Sequence, residues 1–133
     1  MRYLMGKIIS EMADKDDKLY VLTGDIGYGI FDDFRKKYSE RFINLGILEQ
    51  SLISVSAGMA LEGLHPFVYT ITPYIIERAF EQVKLDIDQN NANVKLVGYA
   101  DYPEQGITHQ EILKPEMLNL IFKNIKSYEP KPE

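Results

Sequence analysis

Arg41-Phe42-Ile43-Asn44-Leu45-Gly46-Ile47-Leu48-Glu49-Gln50 runs from a short apolar strand, through a glycine, to an acidic residue that opens a helix. Gly46 breaks the strand, and the following residues 49–62 are rich in Leu, Ile, Val, Ala and Met on more than one side. A helix apolar over so much of its circumference is buried or sits at an interface. Glu49 therefore stands between a glycine turn and a nearly all-apolar helix. Its plainest explanation is the helix dipole, which favours a first-turn carboxylate by roughly 0.3–1 kcal/mol. The surroundings ask for more. An acid cut off from bulk water needs a partner that stabilises its charge or shares a proton.

On either side of this stretch, strands alternate with helices. Leu4, Met5, Ile8, Ile9 and Met12 recur at helical spacing and predict an amphipathic helix over 3–13. Leu19-Tyr20-Val21-Leu22 reads as a strand ending in Thr23-Gly24-Asp25, and Phe31, Phe34 and Tyr38 line a short helix. Gly63 is placed to cap the helix 49–62. A strand over 66–71 leads into Thr72-Pro73, an N-cap followed by proline at the first helical position. The helix it opens reaches about Asp88, with Ile75, Ile76, Ala79, Phe80 and Val83 inward. Residues 93–98 are a further strand, 99–109 a polar loop, and a short helix follows Pro115. Ile125 to Tyr128 is the candidate for a last strand, and the Pro-rich end 129–133 for a frayed tail. Apolar strands alternating with helices imply an α/β domain, residues 1–133 in one unit, with a parallel sheet covered on both faces.

Composition narrows the function classes. The 133 residues carry a net charge of −5 with 45% hydrophobic and 26% charged residues, an ordinary globular balance that argues against disorder. Acidic and basic residues are mixed, which argues against a nucleic-acid or anionic-membrane surface. With no cysteine, disulfide and thiolate chemistry are excluded and a cytoplasmic setting is expected. No apolar run approaches transmembrane length.

Four blocks then converge. Arg41 to Gln50, Ala57-Gly58-Met59-Ala60-Leu61-Glu62-Gly63-Leu64-His65-Pro66-Phe67, Arg78-Ala79-Phe80-Glu81-Gln82 and Gly106-Ile107-Thr108-His109-Gln110 follow one another in an order and spacing that resembles the pyrimidine-binding domain of the transketolase superfamily. The similarity extends from about Leu19 to Pro130. It implies that Glu49 hydrogen-bonds N1′ of the aminopyrimidine of thiamine diphosphate, where proton exchange activates the thiazolium. The physics of the position agrees, since a carboxyl in a dry pocket holds its proton to higher pH and can pass it near neutrality. The cofactor performs the carbon chemistry while the protein orients and polarises it.

The resemblance also places an aromatic side chain against the aminopyrimidine near Thr72-Pro73-Tyr74-Ile75-Ile76-Glu77-Arg78. Tyr74 falls closest, with a one-residue ambiguity that puts Ile75 there instead. Packing of the helix start explains Tyr74 equally well, whereas stacking would contribute roughly 0.5–1.5 kcal/mol beyond buried area. His109 matches a histidine that lies near substrate hydroxyls in transketolases, although a loop histidine is usually just solvated. Gln105 and Ile107 stand where many relatives carry aspartate and proline, which puts a sugar-phosphate substrate in doubt. Gly24-Asp25-Ile26-Gly27-Tyr28-Gly29 is neither a Walker motif nor a full dinucleotide fingerprint. It resembles the opening of the thiamine-diphosphate motif, but Asn90-Asn91 lies too far along to close one. Gly24 and Asp25 are read as a strand-end turn facing the ligand cleft, Asp25 first as a turn residue and second as a contact for cofactor or partner chain.

No segment offers the carboxylate and amide ligands that hold Mg²⁺ on a diphosphate. The resemblance assigns that task to a separate diphosphate-binding subunit, most simply in an α2β2 assembly, with helix 49–62 a candidate for contact across the two-fold axis. Compared with the family, the chain is short at its C-terminus, since another parallel strand would need a crossover of a dozen or more residues. Transfer of a two-carbon ketol unit is the leading expectation. A 2-oxo acid dehydrogenase-type beta subunit and a non-catalytic interaction protein of the same fold are the alternatives.

Overall fold

The computed structural model describes residues 1–99, 103–110 and 112–130. Its centre is a four-stranded, wholly parallel sheet in the order β2-β1-β3-β4. The strands are β1 (Leu19–Thr23), β2 (Phe42–Asn44), β3 (His65–Ile71) and β4 (Lys95–Tyr99). Around them stand α1 (Arg2–Ala13), α2 (Asp32–Lys37), α3 (Glu49–Leu61), a short α4 (Phe80–Gln82) and α5 (Pro115–Ile121). Between β3 and β4 the helical run is in three abutting pieces, π-helical Tyr74–Arg78, then α4, then π-helical Val83–Asp88.

Alternation along β1 feeds two cores. Leu19 and Val21 point into a layer with Ile9 and Ala13 of α1, Phe31, Phe34 of α2, and Tyr69. Leu22 points the other way, among Leu52, Ile53 and Ala57 of α3, Val68, Ile75, Ala79, Val83 and Ile87. Both faces of the sheet are thus covered, as continuous apolar strands require. The same layering fixes the connections. β1 passes through α2 to β2 on one side, whereas β3 passes through the three-piece helix to β4 on the other. β1 and β3 are neighbours whose chains depart in opposite directions. In open α/β sheets ligands bind outside the strand C-termini at such a switch point.

Three local expectations change. The residues Ile125 to Tyr128 form no strand. The Asp88 carboxylate accepts the backbone N–H of Lys123, Asn124 and Ile125, and Asn119 exchanges hydrogen bonds with Ser127 at 2.7 and 3.1 Å. Those amides are taken by side-chain acceptors, which interrupts the row of donors that a sheet edge would need. Thr72 does not cap the helix after it; its hydroxyl donates to the Tyr99 carbonyl at 2.8 Å, tying the ends of β3 and β4 together. On α1 the buried positions are Gly6, Ile9 and Ala13, while Leu4, Ile8 and Met12 are exposed. The expected polar loop keeps Pro103–Gln105 and Ile107–His109 as 3₁₀ turns, its residues 100–102 lying outside the described ones, as do 131–133 of the tail. Gly63, at φ 82°, follows α3 as anticipated.

Candidate active site

The C-terminal ends of β1 and β2 are joined by one side chain. The Asn44 carbonyl oxygen accepts the N–H of Asp25 at 2.8 Å and that of Gly46 at 3.0 Å. Gly46 takes φ 77°, a left-handed turn that glycine adopts without a Cβ penalty, and the chain enters α3 within three residues. Gly24 lies beneath this turn. A Cβ on it would meet the Gly46 carbonyl oxygen at 3.4 Å and Leu52 Cδ2 at 3.8 Å, ordinary van der Waals contacts, so the end of β1 packs against the first turns of α3. That first turn begins with Glu49, which is only 3% exposed. Its burial is the one anticipated from the apolar helix behind it.

A buried carboxylate needs a charged or hydrogen-bonded partner, and Arg78 supplies it. The Arg78 Nη1 donates to Glu49 Oε2 at 3.1 Å, with side-chain exposures of 35% and 4% respectively. The same guanidinium lies over the ring of Tyr74, Cζ 3.6 Å from its centroid. Tyr74 in turn points its hydroxyl at His109, 3.1 Å from Nε2, with ring centroids 5.4 Å apart and tilted by 57°. Glu49, Arg78, Tyr74 and His109 therefore form one chain of contacts over the end of the sheet. Tyr74 and Arg78 lie on one π-helical segment, Tyr74–Arg78. Such wide turns recur at functional sites. Glu77, from the same segment, accepts the N–H of Ile112 and, at 3.1 Å, that of Leu113, which draws the chain beyond His109 back onto the helix.

The other expected residues fall around this line. Ile75 is 1% exposed and packs in the core with Leu52, Ile53 and Val83, so of the two adjacent candidates only Tyr74 presents its side chain to the Arg78–His109 cluster. Asp25, at φ 56°, is exposed. Its carboxyl is held below the usual carboxylate range by the hydroxyl of Tyr28, which donates at 2.8 Å, and next by the Asn44 amide. Asp25 thus belongs to the turn that positions Gly46 rather than to the Glu49–His109 line. A cavity of about 720 Å³, lined by Tyr28, Asp32, Arg35, Lys36, Ser39, Phe42 and Asn44, opens on the β2 side and contains none of Glu49, Tyr74 or His109. Among the described residues no group of three or more His, Asp or Glu side chains is placed to hold a metal ion, and no helix is long and apolar enough to cross a membrane.

Sequence alone does not single out Arg78, Glu77 or Asn44 as site residues. A signal exists for Arg78: a buried acid demands a cation, and Arg78 sits four residues beyond Tyr74, one helical turn away. Asn44 and Glu77 act through backbone amides, which no side-chain pattern reveals.

Comparison with known proteins identifies the family. Residues 1–127 match the family model "Transketolase, pyrimidine binding domain". A subunit of the apulose-4-phosphate transketolase of Actinobacillus succinogenes is 36% identical over 112 residues, covering 82% of this chain and 36% of that protein. A 1-deoxy-D-xylulose-5-phosphate synthase of Clostridium perfringens is 34% identical over 119 residues, covering 86% of this chain and 19% of that protein. A solved structure of a split gene transketolase, an inactive beta4 tetramer, superposes with a TM-score of 0.75 at 31% identity, over 90% of this chain and 38% of that one. The chain thus spans at most 38% of the length of these three proteins. It belongs to the transketolase family and carries that family's pyrimidine-binding domain.

Proposed function

We propose that this chain is the pyrimidine-binding subunit of a thiamine-diphosphate-dependent, transketolase-like transferase, completed by a separate diphosphate-binding subunit. The contact chain Glu49–Arg78–Tyr74–His109 at the strand ends carries the proposal. One planar guanidinium reaches both the Glu49 carboxylate and the Tyr74 ring face, so a flat, nitrogen-bearing ring fits between the same two groups. That is the shape of an aminopyrimidine.

In this reading Glu49 binds the N1′ edge of the ring and exchanges a proton there, from a buried carboxyl that water cannot easily reach. Tyr74 stacks against the ring and sets its plane. His109, carried by the loop after β4 and held by the Tyr74 hydroxyl, contacts substrate oxygens. Gly24 lies under the Gly46 turn, Asp25 with Asn44 holds the turn before Glu49, and Ile75 packs behind Tyr74 on the core side. The bound cofactor would supply the carbanion chemistry that moves a two-carbon ketol unit from a ketose donor to an acceptor.

The partner would hold Mg²⁺ and the diphosphate, most simply as α2β2, and residues 1–133 would act as one domain of that cytoplasmic assembly. Relatives named as one subunit of a transketolase and as a split gene transketolase support a two-chain arrangement. The test uses the chain mixed with a diphosphate-binding transketolase subunit. The mixture should bind thiamine diphosphate with Mg²⁺ and turn over a ketose donor, and Glu49→Ala should assemble while losing turnover. Full activity of that variant would remove Glu49 from the chemistry. Turnover of 2-oxo acids in place of ketoses would move the chain to the dehydrogenase-type branch.

A further inference from the structure

Arg78 occupies the place that the proposed function gives to a ligand. Its guanidinium is planar and carries N–H donors. It lies 3.6 Å over the Tyr74 ring and donates to Glu49 Oε2 at 3.1 Å. An aminopyrimidine bound as proposed above would need that same ring face and that same carboxylate. Two flat groups cannot both lie there. The exposures of the pair show which one can leave: the Glu49 side chain is 4% exposed and fixed at the start of a buried helix, while that of Arg78 is 35% exposed on a long, rotatable stem.

We propose that Arg78 is a place-holding gate, seated on Tyr74 and Glu49 in the chain by itself and swung outward when the aminopyrimidine enters. The inference rests on the functional reading above. The physical need for such a residue is plain. Without a ligand, Glu49 would be a carboxylate buried among apolar side chains with no compensating charge, a costly state. Arg78 satisfies it between ligands. The entering pyrimidine takes over the Glu49 carboxylate, so the partly exposed guanidinium can move into water without leaving that carboxylate unpaired. The gate lowers apparent affinity by the fraction of molecules in which it is open, so the chain binds pyrimidine poorly until something draws Arg78 away.

The test is titration of the full chain with 4-amino-5-hydroxymethyl-2-methylpyrimidine, followed by calorimetry and by NMR of the Arg78 side chain. In the free chain the Arg78 Hδ and Hε signals should carry a ring-current shift from Tyr74, absent in Tyr74→Leu. That shift should vanish when the pyrimidine is bound. Arg78→Ala should bind it roughly tenfold more tightly than wild type, and Arg78→Gln should behave likewise if alanine impairs folding. Unchanged or weaker binding by both variants, with Glu49→Ala still abolishing it, overturns the gate and leaves the pyrimidine site standing. Absence of binding by wild type and both Arg78 variants overturns the site and the gate together. Persistence of the ring-current shift at saturating pyrimidine overturns the gate alone.

Discussion

The Tyr74 hydroxyl lies 3.1 Å from Nε2 of His109, joining the helix after β3 to the loop after β4 across 35 residues of sequence. Tyr74→Phe keeps the ring, and with it the Arg78 stacking, but removes this bond. A single hydrogen bond of this kind contributes about 0.5–1.5 kcal/mol. The expected outcome is a loss of that size, with faster amide hydrogen exchange at Thr108, His109 and Gln110. Because the two residues share one contact, Tyr74→Phe and His109→Ala should be less than additive in a double-mutant cycle. Simple additivity would mean that the hydroxyl does not hold the loop.

Asp88 is 7% exposed, and its carboxylate accepts three consecutive amides, those of Lys123, Asn124 and Ile125, at 2.7–3.3 Å. The Asn124 side chain returns a bond to the Asp88 carbonyl at 2.7 Å. Phe122, just before this clamp, is buried in the core, its ring tilted against that of Phe80 at 5.5 Å between centroids. Asp88→Ala strands the amides and should cost about 1.5–3 kcal/mol, the range for hydrogen bonds to a charged group. Asp88→Asn keeps an acceptor and should cost less. Urea denaturation ranks the two, and equal losses would argue against a charged clamp.

What the sequence discloses and what it hides divide along a physical line. Elements built on periodicity are legible: β1 as an apolar run, α3 as an apolar helix, and the alternation that makes a parallel sheet. Glu49 is legible because an acid inside an apolar pattern contradicts its surroundings. The strand expected at 125–128 fails because Ile125 and Tyr128 supply only β propensity, whereas the Asp88 carboxylate, 37 residues before Ile125, takes the Ile125 amide and the Asn119 side chain that of Ser127. Propensity is a weak prior against a tertiary acceptor. Arg78 is hidden for a related reason. Its role depends on Glu49 and Tyr74 meeting it in space, and only the fold brings the exits of β2 and β3 to the same end of the sheet, on either side of β1.

Acid should weaken the base of the sheet through Asp16. Its carboxyl lies 2.6 Å from Nδ1 of His65 at the start of β3. That bond first, and the Lys18 backbone amide and the charges of His65 and Arg41 after it, outweigh burial and hold the group below its ordinary 3.8. For a carboxyl depressed in the folded state, the stabilisation is complete above the unfolded value and is lost as pH falls through the lower, folded one. Wild type should therefore lose stability from about pH 4 downward. Asp16→Asn should be weaker at pH 7 and flatter below pH 4, as read by urea midpoints at pH 7, 4 and 3. Parallel pH profiles for the two proteins would remove Asp16 from the acid response. Asp14, held low by Lys37 and then Tyr38, contributes in the same direction.

Gly6 sits inside α1, where replacing glycine by alanine ordinarily gains about 1 kcal/mol of helix propensity. Here the opposite sign is expected. A Cβ on Gly6 would come 2.3 Å from the Ile30 carbonyl oxygen and 2.9 Å from Ile30 Cγ2, and the nearer atom is backbone that cannot rotate away. Forcing extra volume into such a contact costs about 1–3 kcal/mol, so Gly6→Ala should lose up to about 2 kcal/mol net of the propensity gain. Lys7→Ala, one position along and facing solvent, provides the control and should shift stability by less than about 0.5 kcal/mol. Displacing Ile30 also disturbs the loop that leads from Asp25 through Tyr28 to Phe31, so the Asp25–Tyr28 hydrogen bond should weaken in the same variant. Thermal melts of the two variants decide the matter. A Gly6→Ala protein more stable than wild type would show that α1 can move away from Ile30, and that the closeness of the two is not required by the packing of Ile9 and Ala13 beneath it.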